Sequence, residues 1–157
     1  TTTLVKDMAF IITPGLDFKL TATGSSFMTF YVVSEKIPEG VTPPATLRIV
    51  DHRTAPRVTK HWYNQERDLV TKADGLTQYG ALTQVDLKTM AMSQAYSSPV
   101  GTEEIWIATE GDVDILLGKE LRRIPAGADY RVPSTGITAH TNINTSGKVA
   151  KFLYMVK

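Results

Sequence analysis

The chain has 157 residues, with 17 Lys and Arg against 16 Asp and Glu, for a formal net charge of +1. That length suits one domain of ordinary size, and 42% hydrophobic against 21% charged residues excludes a disordered chain. Near-neutral charge argues against nucleic acid or an anionic membrane as partner, the absence of Cys excludes disulfides and thiolate chemistry, and only three His limit imidazole sites.

From the N-terminus, an apolar run at Met8–Ile12 meets a Thr13-Pro14-Gly15 turn, then a short strand at Phe18–Ala22, a Gly24-Ser25-Ser26 turn and a strand at Phe27–Val33. Aromatic and β-branched residues bounded by turn residues predict antiparallel strands. No apolar run approaches the roughly 18 residues that span a bilayer. No cleavable leader is visible, so a soluble chain of open compartment is expected. Pro38, Gly40, Pro43, Pro44 and Pro56 mark an extended connector, with Thr46–Val50 as one short strand. Asn64–Gln78 reads as the single helical or irregular stretch, ending in a turn at Lys72–Gly75. Beyond it the predicted strands are Thr83–Leu87, Thr89–Tyr96, Glu104–Thr109, Val113–Leu117, Leu121–Ile124, Asp129–Val132, Thr138–Asn142 and Lys148–Val156. Short strands punctuated by Gly and Pro predict an all-β sandwich or jelly roll.

The two strand-rich blocks end alike, in Phe30-Tyr31-Val32-Val33 and Leu153-Tyr154-Met155-Val156, each after a small-residue turn. Read as a repeat, the first block holds only the later strands of a barrel. The expected organisation is then 1–34 as partial N-terminal strands, 35–60 as a Pro-rich connector and 61–157 as a complete C-terminal barrel.

Glu104 is followed six residues on by Gly111, and Gly127 leads to Pro133, Gly136, His140 and Asn144. These spacings resemble the two sequence motifs of the cupin domain, although the turn between Pro133 and His140 is two residues longer than that pattern. His61-Trp62 ahead of Glu103-Glu104-Ile105-Trp106 is similar to one bicupin group. Residues 1–33 resemble the second half of a preceding cupin, with Pro14-Gly15 as its turn and Phe18 where a histidine would stand. The resemblance implies a jelly-roll barrel with an N-terminal set of strands from a partial second barrel.

It also implies a divalent metal held by two first-motif histidines, a glutamate and a second-motif histidine. Here the first two would fall at Ser98 and Val100, or at Ser97 and Pro99, and none is histidine. Ser98 is the natural replacement, with Tyr96 two residues earlier on the same strand face. Neutral hydroxyls bind first-row metals far less well than imidazole does. Glu104 and His140 remain as weak metal ligands, and no tightly bound cofactor is expected.

Taken alone, His140 reads as a hydrogen-bonded structural residue and Glu103-Glu104 as a solvated strand start. With the resemblance, Tyr96, Ser98, Glu104, Trp106 and His140 become the expected lining of a ligand-binding barrel. Alternation places Glu104, Trp106 and Ala108 on one strand face. His61-Trp62-Tyr63 reads as an aromatic anchor for the connector, and His52 as a solvated loop residue. Asn144-Thr145-Ser146 is a chance sequon, and no catalytic nucleophile or phosphate-loop motif is present.

Three functions follow. The first is a metal-free, non-redox cupin that binds a small molecule or serves structurally. The second is a metal-dependent oxygenase, decarboxylase or isomerase whose missing ligands come from His61 or His52. In the third, the chain associates with a partner: a second chain or clipped fragment completes the first barrel, or residues 1–33 pair across a homo- or hetero-oligomer.

Overall fold

The computed structural model describes residues 1–43 and 47–157. Its strands are β1 (Met8–Ile11), β2 (Arg48–Asp51), β3 (Val58–Lys60), β4 (Asn64–Thr71), β5 (Ala81–Leu87), β6 (Ala91–Met92), β7 (Tyr96–Ser97), β8 (Glu104–Glu110), β9 (Val113–Leu117), β10 (Glu120–Ile124), β11 (Asp129–Val132), β12 (Ala139–Asn144) and β13 (Ala150–Val156). One short 3-10 turn, Lys72–Asp74, is the only helical element among the described residues. No helix there is long and apolar enough to cross a membrane.

Two antiparallel sheets make a jelly-roll barrel. One runs β11-β8-β13-β5-β4-β3; the other runs β10-β9-β12-β6, with β7 also paired to β12. Alternation builds the interior: β8 is buried at every second residue, so Glu104, Trp106 and Ala108 point inward. Beside them on the same sheet are Val85 and Leu87 of β5, Tyr130 of β11 and Phe152 of β13, and from the other sheet comes Ile115 of β9; these five lie in one apolar cluster with Trp106 and Ala108. Burying each large aliphatic side chain stabilises the barrel by about 1.5–3 kcal/mol.

Most C-terminal strands lie where the pattern puts them, and three expectations fail. Asn64–Gln78 is no helix: Asn64–Thr71 forms β4, a strand between β3 and β5. Its polar residues hid this, because they are matched by charge rather than by apolar packing. Arg67 Nη1 lies 2.8 Å from Asp86 Oδ2, and Lys60 Nζ lies 3.1 Å from Glu66 Oε2.

The expected strand Thr89–Tyr96 splits into β6 and β7. At the break the Asn142 amide donates to the Ser93 hydroxyl at 3.0 Å, and the Gln94 amide donates instead to His61 O at 3.0 Å. This hydroxyl acceptor and the diverted amide interrupt the regular ladder.

Phe18–Ala22 and Phe27–Val33 form no strand. Of the N-terminal strands only β1 exists, paired with β2 in a two-stranded ribbon that packs against β4. Phe30 meets Phe10 of β1 edge-on at 6.4 Å, but neither run hydrogen-bonds to a neighbouring strand, so nothing completes their ladders. β2 covers the later part of the expected strand Thr46–Val50, whose Thr46, like Pro44, lies outside the described residues. β3 forms within the connector.

Candidate functional site

β8 carries Glu104 and Trp106 into the barrel from one sheet, and β12 carries His140 from the other. β7 pairs with β12 so that Tyr96 stands directly opposite His140, which puts both side chains on one face. The loop beyond β7 turns Ser98 inward and Val100 outward, at 82% exposure. The inward pair is therefore Tyr96 and Ser98, and Val100 is not part of the site. Gly136 makes this closure possible. It sits at φ +75, where a Cβ would lie 2.5 Å from Val100 Cγ2, and the Gly101 amide donates to Ser134 O at 2.9 Å.

All five expected residues meet at one carboxylate. The Ser98 hydroxyl donates to Glu104 Oε1, and Trp106 Nε1–H donates to Oε2 at 2.9 Å. The Tyr96 hydroxyl lies 3.4 and 3.3 Å from the two oxygens. His140 Nε2 stands 3.1 Å from Oε2. The approach does not meet hydrogen-bond geometry, and neither ring nitrogen has a hydrogen-bond partner among the described residues. Ser98, Glu104, Trp106 and His140 are each 3% exposed or less, which shuts this centre off from water.

Burial pushes the Glu104 carboxyl up, but the contacts from His140, Ser98 and Trp106 outweigh it and hold its pKa below the usual glutamate value. The same burial, with the Glu104 charge beside it, pushes the Tyr96 phenol far above its ordinary range. The centre is thus an anion held by neutral donors and an imidazole.

Aromatic rings close the cluster. Trp106 stacks with Tyr130 at 6.2 Å and 3°, lies 4.4 Å from Tyr154, and meets Phe152 edge-on at 5.7 Å. The Tyr130 hydroxyl donates to Asn142 Oδ1 at 2.7 Å. Tyr130, Tyr154 and Asn142 were not among the expected site residues. Strand alternation would have found Asn142, two residues from His140 on β12, whereas Tyr130 and Tyr154 come to Trp106 only through the register of β11 and β13 on β8.

Neither of the other histidines, which the metal-enzyme alternative would require as ligands, is among the side chains in contact with Glu104. His52 belongs to the ribbon, its Nδ1 2.8 Å from Asp7 O. His61 stacks on Tyr96 at 4.8 Å and 11°, and Tyr96 in turn lies 4.4 Å from His140. The Tyr96 ring therefore stands between the two imidazoles. His61 and Trp62 hold φ at 46 and 71 in the β3–β4 turn, a strained placement costing on the order of 1–3 kcal/mol per residue. Only His61 acts as the expected anchor, since Trp62 and Tyr63 are 58% and 48% exposed.

Asn144 is 1% exposed and structural: its Nδ2 donates to Lys148 O at 2.7 Å and to Lys88 O at 3.0 Å. Burial also rules it out as a glycan acceptor in this fold. Among the described residues no three His, Cys, Asp or Glu side chains converge. A hollow of about 710 Å³ lies elsewhere, between β2 and β4, lined by Arg48, Asp51, Asp68 and Asp74 among apolar residues.

No protein-family model matches the chain, and no curated protein matches it. Solved structures do. A sugar phosphate isomerase from a cupin superfamily, from Silicibacter pomeroyi, is 20% identical with a TM-score of 0.58 over 69% of this chain and 74% of that one. A predicted oxalate decarboxylase from Thermotoga maritima is 17% identical with a TM-score of 0.57 over 66% and 90%. The polyketide cyclase RemF from Streptomyces resistomycificus is 17% identical with a TM-score of 0.57 over 68% and 75%. The fold is therefore that of the cupin jelly roll.

Proposed function

We propose that this barrel is a metal-free, non-redox cupin-fold module, serving a structural or binding role. One observation carries the reading: the Glu104 carboxylate, where the resemblance puts a metal ligand, already accepts from Ser98, Tyr96 and Trp106. An ionised carboxylate has about four acceptor sites, and the indole N–H is a donor that cannot ligate a metal. Serine and tyrosine hydroxyls are poor ligands for first-row metals. The donor set does not fit a metal.

The test is elemental mass spectrometry of the purified chain after incubation with Fe, Mn, Ni, Cu or Zn and desalting. The wild type is expected to retain well under one metal per chain. The Tyr96→His/Ser98→His double variant, which sets four protein ligands around one point, is expected to retain about one. Stoichiometric metal on the wild type would overturn the reading and restore the oxygenase, decarboxylase or isomerase alternative.

Binding of a small polar molecule in the barrel is favoured over a purely structural role by His140. Its Nδ1 is buried with no polar partner, a cost of about 1–3 kcal/mol that a ligand could relieve. Tyr96, tilted against this ring at 4.4 Å and itself stacked on His61, is the gate through which such a molecule would pass. Native mass spectrometry of the freshly purified chain checks this. An adduct that is lost on His140→Phe supports ligand binding, and a clean chain leaves the structural role.

A further inference from the structure

The N-terminal arm is fastened to the barrel at two points. Near its start, β1 pairs with β2, and Lys151 Nζ lies 3.7 Å from Asp7 Oδ2. At its far end the Glu35 carboxylate accepts from the Thr77 amide, from the Thr77 hydroxyl at 2.9 Å, from the Gln78 amide at 2.9 Å and from the Tyr79 amide at 3.2 Å. Three successive amides aimed at one carboxylate make an anion nest.

Between these fasteners the chain from Leu16 to Ser34 runs as a strap with no strand. Among the described backbone hydrogen bonds none engages residues 17–34. The strap is nonetheless the most apolar exposed surface of the molecule: Phe27 is fully exposed, Val32 87%, Phe18 62%, Met28 50%, Tyr31 44% and Phe30 42%.

We infer that the strap is a self-association surface, and that Phe27–Val33 pairs antiparallel with the same segment of a second copy of this chain. Three features point to a second copy. Taking about 150–250 Å² for a fully exposed aromatic side chain, the six apolar residues of the segment, Phe27, Met28, Phe30, Tyr31, Val32 and Val33, offer on the order of 700 Å², close to the roughly 800 Å² each partner gives a standard interface. The charged residues between Ile12 and Ser34 are one Asp17 and one Lys19, so two straps do not repel. A strand that pairs antiparallel with its own copy about Phe30 sets Met28 against Val32 and Phe27 against Val33, an isologous contact that closes at two copies. The free amides and carbonyls of the strap supply the ladder. This goes beyond the barrel reading and stands without it.

The experiment is sedimentation equilibrium of the whole chain, as wild type, as Phe27→Asp/Val32→Asp, and as Val100→Asp, an exposed apolar position on the barrel. The wild type is expected to be a dimer, the strap variant to dissociate with a Kd at least tenfold higher, and the Val100 variant to match the wild type. Circular dichroism confirms that each remains folded, and hydrogen exchange at Phe27–Val33 is expected to be slow in the dimer. A monomeric wild type, open-ended larger species, a dimer insensitive to the strap substitutions, or unprotected Phe27–Val33 amides in the dimer would each overturn the inference. Metal content is unaffected by any of these, so its test fails or succeeds separately.

Discussion

Two seven-residue stretches, β8 and Phe27–Val33, make an instructive pair. By side-chain preference Phe-Met-Thr-Phe-Tyr-Val-Val is the better strand former, and Glu-Ile-Trp-Ile-Ala-Thr-Glu begins and ends in charge. The outcome is reversed. β8 is the strand flanked on both sides, by β11 and β13, whereas Phe27–Val33 pairs with nothing. Strand preference describes how a side chain fits a pleated, half-buried surface, and that surface exists only where neighbouring strands supply it. β8 shows the complementary point, since a glutamate at its start is buried because four side chains converge to receive it.

The sharpest way to break this contrast is to remove the buried charge. Glu104→Ala strands the hydroxyls of Ser98 and Tyr96 and the Trp106 indole N–H, and is expected to cost about 3–5 kcal/mol in urea unfolding. A cost near that of an ordinary surface substitution would mean the network is not what holds β7, β8 and β12 together. The same network predicts an acid limb. Because the folded-state pKa of Glu104 is depressed, its contribution is complete above the usual glutamate pKa and is lost as pH falls through the lower folded-state value. The stability gap between wild type and Glu104→Gln should therefore narrow on acidification and hold steady near neutrality.

A smaller effect isolates one donor. Trp106→Phe keeps a ring against Tyr130 and Phe152 but deletes the N–H to Glu104, at an expected cost of about 1–3 kcal/mol. It should also raise the Glu104 pKa, visible as an acid limb shifted to higher pH. The smallest change belongs to the arm. Burial pushes the Glu35 carboxyl up, yet the amides of Thr77, Gln78 and Tyr79 hold it below the usual value. Glu35→Ala should cost about 1 kcal/mol in global unfolding, while hydrogen exchange at Thr77, Gln78 and Tyr79 speeds up markedly. If exchange there does not change, the arm is fastened by the β1–β2 ribbon alone.

Much of the barrel could be read directly. Val113–Leu117 and Asp129–Val132 appear with the expected bounds because their alternation is clean and Gly or Pro stops each end. β4 could not be, because its inward positions Asn64 and Glu66 are polar. A strand solved by ion pairing has no apolar period to show. The site was legible as a set: Tyr96, Ser98, Glu104, Trp106 and His140 share faces fixed by a period of two. Their common target was not, since it depends on two strands from different sheets approaching within hydrogen-bond reach.

The sequence by itself determined the all-β character, most turns and which residues face inward, because these follow from local preference and alternation. Tertiary structure alone decided three other matters. It made Glu104 the hub by bringing the donors of Tyr96, Ser98 and Trp106, and the imidazole of His140, to one carboxylate. It set the Tyr96 ring between His61 and His140, through a strained turn and the long-range pairing of β7 with β12. And it left Phe27–Val33 without a ladder partner, touching the ribbon only through the Phe30 ring, which meets Phe10 of β1 edge-on at 6.4 Å.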